Sequence, residues 1–440
     1  MKKAGSILAL SSLLLAAGCS ASADDGTIES DDSQSTEAAE PEEAEAAALP
    51  DIDPPLEFGE VHEVPRPSLH QTRDGLLYGA YLVEDNSIQP RDEDTVVSYS
   101  LATGETVTEA ALDDASVPAD AEASSHLETV FAPSEDGMLL VRIFSYVPPV
   151  TGSEAEQETI LVQAFHAEDG SVAWTQELES WNRGVNPFLT VHETDAEHIV
   201  LAWGAHNEQT RSHVLDTSTG DSVWISDEIR AVAAEGEILA AFEAGDDLDR
   251  DGDHPAGMLV NLNTDETLWS HEFESGINIE SHNFGDGLVK FTADITGQYG
   301  DESDEYVVVD AAAGEPVFES TQSAGALFCK FDRESPMVCY DNQGTVFAID
   351  STTGEVLWDD ESIGAERELP SRINLLYKGV IYAEYTGGAR PPLALDARTS
   401  EDLAFELPTD LLEVGPGYAL AEGYDDLEQK AFLEIHLATG

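Results

Sequence analysis

The residues best placed to bind something are four carboxylates in one short run. Asp247-Leu-Asp249-Arg-Asp251-Gly252-Asp253 sets oxygen donors at alternate positions with a glycine at the bend. A loop curled in this way offers hard oxygens to calcium, which takes roughly six to eight of them. The twelfth position, where such a loop carries a bidentate Glu, is Met258, so another carboxylate or water would have to complete the shell. Two readings stand open: a calcium site on Asp247, Asp249, Asp251 and Asp253, or a solvated acidic loop. Cys329 and Cys339 flank the polar turn Asp332-Arg-Glu-Ser-Pro336, each five residues from Glu334. They would face one another across a β-hairpin, as a disulfide in an exported protein or as two buried thiols. The histidines are scattered, and His192 and His198 have the wrong spacing for two ligands on one helix face. Gly-x-Ser-x-Gly, His-Glu-x-x-His, phosphate-loop and Cys-x-x-Cys patterns are all missing. No catalytic residue is assigned, and the chain is read as a non-enzyme.

Charge narrows the partners. The 440 residues hold 89 Asp and Glu against 19 Lys and Arg, a formal net charge of −70. Nucleic acid needs clustered cations, which this composition does not supply. At 41% hydrophobic residues, the chain still has material for a large core.

The first residues read as an address. Lys2 and Lys3 precede a short apolar run, Ile7 to Leu15, and then Ala16-Ala17-Gly18-Cys19. Leu-Ala-Ala-Gly-Cys at 15–19 resembles a bacterial lipoprotein signal, with Ala16 where Leu is usual. The resemblance implies a signal peptide over 1–18 and acyl chains (palmitate) on Cys19. It also implies a lipid-anchored protein on the extracytoplasmic face of the cell membrane, or of an outer membrane in a cell that has one. Residues 20–55 hold 12 acids and no Lys or Arg. The expectation for 19–55 is therefore a disordered acidic tether, with the folded region at 56–440.

That region repeats. His213-Val-Leu-Asp216-Thr-Ser-Thr-Gly220-Asp-Ser-Val-Trp224, Tyr306 through Asp310 and Gly314 to Phe318, and Gly344 through Asp350 and Gly354 to Trp358 share one pattern. Looser copies lie at 164–174, 393–404, 97–104 and 434–440, and Met258 to Trp269 reads as a copy with its turn two residues short. Eight copies give a mean period of 48 residues. In each, an apolar strand ends in Asp, whose carboxylate can accept turn amides. Gly supplies a positive φ, and an aromatic ring four residues later can wedge between sheets. Two further apolar runs per period make four strands, the content of a propeller blade.

The Asp-x-x-x-Gly-x-x-x-Trp pattern resembles the pyrroloquinoline quinone (PQQ)-like β-propeller repeat. That superfamily holds quinoprotein dehydrogenases and non-enzymatic outer-membrane assembly lipoproteins. The expected fold is all-β: an eight-bladed β-propeller, seven-bladed as the fallback, with four-stranded antiparallel blades. Leu56 to Val64 would close the ring as the missing strand of blade eight. Copies one and seven depart, with Thr108 and Ala404 in the Trp position. No adjacent cysteine pair is present, and PQQ is not expected. The long acidic connections at 84–94, 111–125, 148–158, 245–255 and 298–305 fall mostly on the face opposite the Asp-to-Trp turns, which marks that face for a protein partner. The expected function is a lipid-anchored, non-catalytic binding or scaffolding module. An outer-membrane assembly factor is the second reading, and a PQQ- or calcium-dependent dehydrogenase the third.

Overall fold

The computed structural model describes residues 48–440 apart from 84–88, 92, 115–121, 136, 148–158, 180–187, 192–196, 206–208, 244–255, 274–277, 284–287, 297–301, 311–312, 321–327, 333–334, 341–344, 364–366, 368, 371, 386–389 and 426–429. The strands form eight four-stranded antiparallel sheets. Seven sheets are sequential, at 69–111, 122–179, 188–226, 229–272, 278–320, 328–359 and 372–405. The eighth takes Leu411–Gly415, Tyr418–Asp425 and Lys430–Ala438, and is completed by Phe58–Pro65. That strand pairs antiparallel with Lys430–Ala438, from Phe58 opposite Ala438 to Pro65 opposite Phe432. The closing strand therefore lies where the sequence expects it, and there are eight blades.

First strands of neighbouring blades touch one another, so they line the axis. Second and third strands carry the core. Leu140, Ile143, Ile160, Val162, Val200 and Val214 are all fully buried, which is why both faces of these strands are apolar. Fourth strands form the rim, and Val107, Val223, Ile225 and Leu403 are exposed there. One short helix, Asp360–Ile363, follows blade six. No helix among the described residues is long and apolar enough to cross a membrane.

Alternation of strand direction gives the ring two faces. Hairpins between first and second strands share one face with the Asp-to-Trp turns. Connections from second to third strands, and from blade to blade, share the other.

The register corrects one detail. In blade four the turn is full length, with Asn261 rather than Asn263 at the Asp position. Asn261 Oδ1 accepts the amides of Asn263 and Thr264, each at 3.0 Å. Asp265 stands in the glycine position at φ 58°, a conformation that Asp tolerates better than most residues.

Contacts of the folded ring also begin before residue 56. The segment from Leu49 to Pro55 lies against the hairpin face: Gly417 N donates to Ile52 O at 2.8 Å, and Tyr382 Oη to Pro55 O at 2.7 Å.

Candidate functional site

The repeated carboxylates are all committed to the backbone. Asp216 Oδ1 accepts Thr219 N at 2.9 Å, Asp310 Oδ1 accepts Ala313 N at 3.0 Å, and Asp350 Oδ1 accepts the amides of Thr352 and Thr353 at 3.0 Å. Gly220, Gly314 and Gly354 each donate N–H to the carbonyl of their own Asp at 2.8 Å. Hydrogen bonds from the Thr352 and Thr353 amides hold the Asp350 carboxyl below the usual range. These residues hold the turns.

The indoles link blades. Trp174 Nε1 donates to Thr217 O, and Trp358 Nε1 to Ala397 O, both at 2.8 Å and both one residue past the Asp position of the next blade. Trp224 Nε1 instead donates to Asp265 Oδ1 at 3.1 Å. Trp269 stacks on Phe291 of blade five, 5.6 Å between centroids. Three joints have no ring. Thr108 and Ala404 leave the joints from blade one to two and from seven to eight without one. The register that pairs Val214 with Trp224 and Ala348 with Trp358 pairs Glu434 with Glu63 in the closing blade.

A buried ion pair serves the joint between blades one and two. Arg142 Nη1 lies 3.7 Å from Asp94 Oδ2, with side-chain exposures of 4% and 1%. Asp94 also accepts Val83 N at 2.8 Å and Arg91 N at 3.0 Å. Burial lowers the Arg142 pKa while Asp94 raises it. The guanidinium also lies over Phe144, 4.9 Å from its centroid. Neither residue belongs to the repeat, and no motif in the sequence links them.

At the joint between blades eight and one, Tyr418 Oη donates to Glu413 Oε1 at 2.7 Å and lies 3.0 Å from Thr72 Oγ1. Burial pushes the Tyr418 hydroxyl pKa up and the His70 pKa down, with Glu413 opposing the latter. This polar knot joins two inner strands.

Cys329 and Cys339 are opposite one another across the first two strands of blade six, Cα–Cα 4.1 Å, and form a disulfide. Cys19 and the run from Asp247 to Asp253 lie outside the described residues. So do most of the long connections, although strands Thr106–Ala111, Glu122–Ser134 and Glu302–Asp310 take up parts of the loops read at 111–125 and 298–305. Among the described residues, no three His, Cys, Asp or Glu side chains converge on a point that could hold a metal ion. PQQ, a tricarboxylate, would need clustered cations near the axis. Two arginines of the inner strands are committed elsewhere: Arg73 donates to Ser134 O and Gly137 O, and Arg372 lies 3.8 Å from both Glu384 and Asp410.

Among the described residues of the long-connection face, blades six to eight form a sector of aromatic and arginine side chains. In blades six to eight the strand ends there carry Phe328 stacked on Tyr340 at 5.4 Å, Arg390 over Tyr385 at 5.0 Å, Arg372 and Tyr424. Phe328 is 45% exposed and Tyr424 56%. The sequence reading missed this sector, because its residues come from three blades and share no spacing.

A family model described as outer membrane protein assembly factor BamB matches residues 257–404, from the third strand of blade four to the fourth of blade seven. The same turn geometry recurs in blades one to three, outside that match, so the PQQ-like repeat extends beyond the matched residues. No curated protein matches the chain. Among solved structures it is similar to BamB from Moraxella catarrhalis: 13% identity, TM-score 0.38, 86% of this chain and 97% of that one. It is also similar to a quinohemoprotein alcohol dehydrogenase from Pseudomonas putida HK5: 10% identity, TM-score 0.44, 88% of this chain and 77% of that one. The eight-bladed architecture rests on the strand pairings above, not on these likenesses.

Proposed function

We propose that the protein is a lipid-anchored, extracytoplasmic scaffold that binds another protein through the long-connection face of blades six to eight, without catalysis of its own. The observation that carries this reading is the family match over 257–404, which covers most of that sector and is described by an assembly role. The site chemistry agrees with it. The recurrent Asp, Gly and Trp residues are used up in turns and blade joints, while Phe328 and Tyr424 are exposed, with the half-buried Tyr340 and Tyr385 and two arginines beside them. Aromatic residues and arginine are the types that anchor protein interfaces. A surrounding charge as negative as this one favours a neutral or cationic partner and repels nucleic acid. The finer form of the proposal is a role in outer-membrane protein assembly, with Cys19 carrying the anchor. Ser20 after that cysteine permits such sorting in a two-membrane cell.

The test is crosslinking in the native membrane from a photoreactive residue at Tyr424. One protein adduct is expected, and it should be lost on combining Phe328→Ala with Arg372→Glu. Absence of an adduct, or one indifferent to both changes, overturns the partner surface. Palmitate labelling should disappear in Cys19→Ala; persistent labelling sinks the anchor. Sustained dye-linked alcohol oxidation after adding PQQ and calcium would replace the scaffold by an enzyme.

A further inference from the structure

The two joints that flank the closing blade lack an aromatic wedge, and the same two joints are crossed by a segment upstream of the closing strand. Leu49 packs against the cluster shared by blades eight and one, which contains Leu77, Tyr418 and Leu433. Pro50 O sits so close over Gly417, at φ 80°, that a side chain there would collide with it. Ile52 O accepts Gly417 N. Asp53 forms an ion pair with Lys378 on the hairpin of blade seven. Pro55 O accepts the hydroxyl of Tyr382, a fully buried ring. Leu56 then joins the cluster of blades seven and eight, and its N–H, like that of Glu57, donates to Gly440 O at 2.8 and 2.7 Å. In under ten residues the chain touches the first hairpins of blades one, eight and seven in turn.

We propose that residues 49–56 are a clasp that holds the ring shut, doing at these two of the three unwedged joints what the indoles of Trp174, Trp224 and Trp358 do elsewhere. The pairing of Phe58–Pro65 with Lys430–Ala438 joins the ends within one blade but does not bind that blade to its neighbours. At those joints the wedge position holds Ala404 on one side and Glu63 on the other. The clasp supplies backbone hydrogen bonds, a buried hydroxyl bond, an ion pair and two leucine anchors at these two places. This inference is independent of what the protein binds or where it is anchored.

Native-state hydrogen exchange on the full chain tests it. Replacing residues 49–53 by Gly-Ser-Gly-Ser-Gly keeps the length, removes the Leu49 anchor and the Asp53–Lys378 ion pair, and loosens the backbone that presents the Ile52 carbonyl. Exchange in Phe58–Pro65 and Lys430–Ala438 is expected to rise about tenfold or more, with Ile238–Glu243 in blade four unchanged. Equal exchange in the closing blade before and after replacement overturns the clasp, and so does a uniform rise in every blade. Should the replaced chain fail to fold, Asp53→Ala and Leu49→Ala take its place. Each is expected to accelerate the closing blade relative to blade four, and a flat profile in both refutes the proposal.

Discussion

Gly220 and Gly314 form a matched pair that isolates the cost of displacing one blade wedge. Both are at the same turn position, at φ 74° and 66°. A Cβ on Gly314 would meet nothing within 4 Å, whereas one on Gly220 would come within 2.6 Å of Trp174 Cδ2 and 2.9 Å of Cζ3. Gly314→Ala therefore bears only the left-handed backbone cost, about 1–2 kcal/mol. Gly220→Ala bears the same cost plus displacement of an indole that is buried and hydrogen-bonded to Thr217 O, a further 1–3 kcal/mol or so. The two variants are best compared by urea unfolding at neutral pH, followed by far-ultraviolet circular dichroism. The Gly220→Ala midpoint should fall clearly below that of Gly314→Ala, with unchanged slopes. In a Trp174→Phe background the two glycines should become nearly equivalent, because the coupling partner has been reduced. Equal losses in the native background would refute the idea that the ring is held together through these turns.

Three further outcomes follow from buried groups. Arg142→Met should cost about 3–5 kcal/mol by leaving Asp94 buried without its cation, while adding Asp94→Leu should restore part of the loss; denaturant midpoints of the three variants decide it. His213 is held neutral by burial, its pKa pushed down to about 4 from 6.5. The unfolded chain therefore takes up a proton that the folded chain refuses, and stability should fall as pH drops from 6.5 towards 4, by at most about 3 kcal/mol. His213→Gln should flatten that limb of the melting curve against pH, and an unchanged slope excludes the assignment. Replacing Cys329 and Cys339 together by Ser should cost about 2–3 kcal/mol, as loss of a short cross-linked loop predicts. Equal melts for the native protein in oxidising and reducing buffer would show that the bond does not stabilise the fold.

The blades were legible because each needs an acceptor, a left-handed residue and a wedge at fixed offsets, and residue types reveal all three. Blade four departs from the pattern because one type substitutes for another: Asn261 accepts the same amides as Asp, and Asp265 takes the glycine conformation, so without Asp or Gly at those offsets the turn looks two residues short, with Asn263 at its head. Asp94 and Arg142 were invisible for a different reason. They belong to different blades, and a buried ion pair leaves no periodic trace. The clasp was hidden by its own composition. Leu49-Pro-Asp-Ile-Asp-Pro-Pro reads as the end of an acidic, proline-rich tail, and two of its contacts are made by backbone carbonyls that any sequence would carry. The surface sector of blades six to eight has aromatic and arginine residues with no common spacing, and only the fold brings them together.

The composition of blade eight also sets an order of assembly. Blades one to seven can each form from local hairpins as their residues become available, but the closing strand must wait for Lys430–Ala438, made far later. Joining such distant segments costs only about 0.6 kcal/mol more for each doubling of the intervening chain, so the difficulty is one of exposure rather than free energy. Until then Phe58–Pro65 has no partner, and an unpaired strand invites pairing with another copy. Glu60 and Glu63 are exposed along it even in the finished ring, with Glu57 just before it, and charge along an unpaired edge disfavours such pairing.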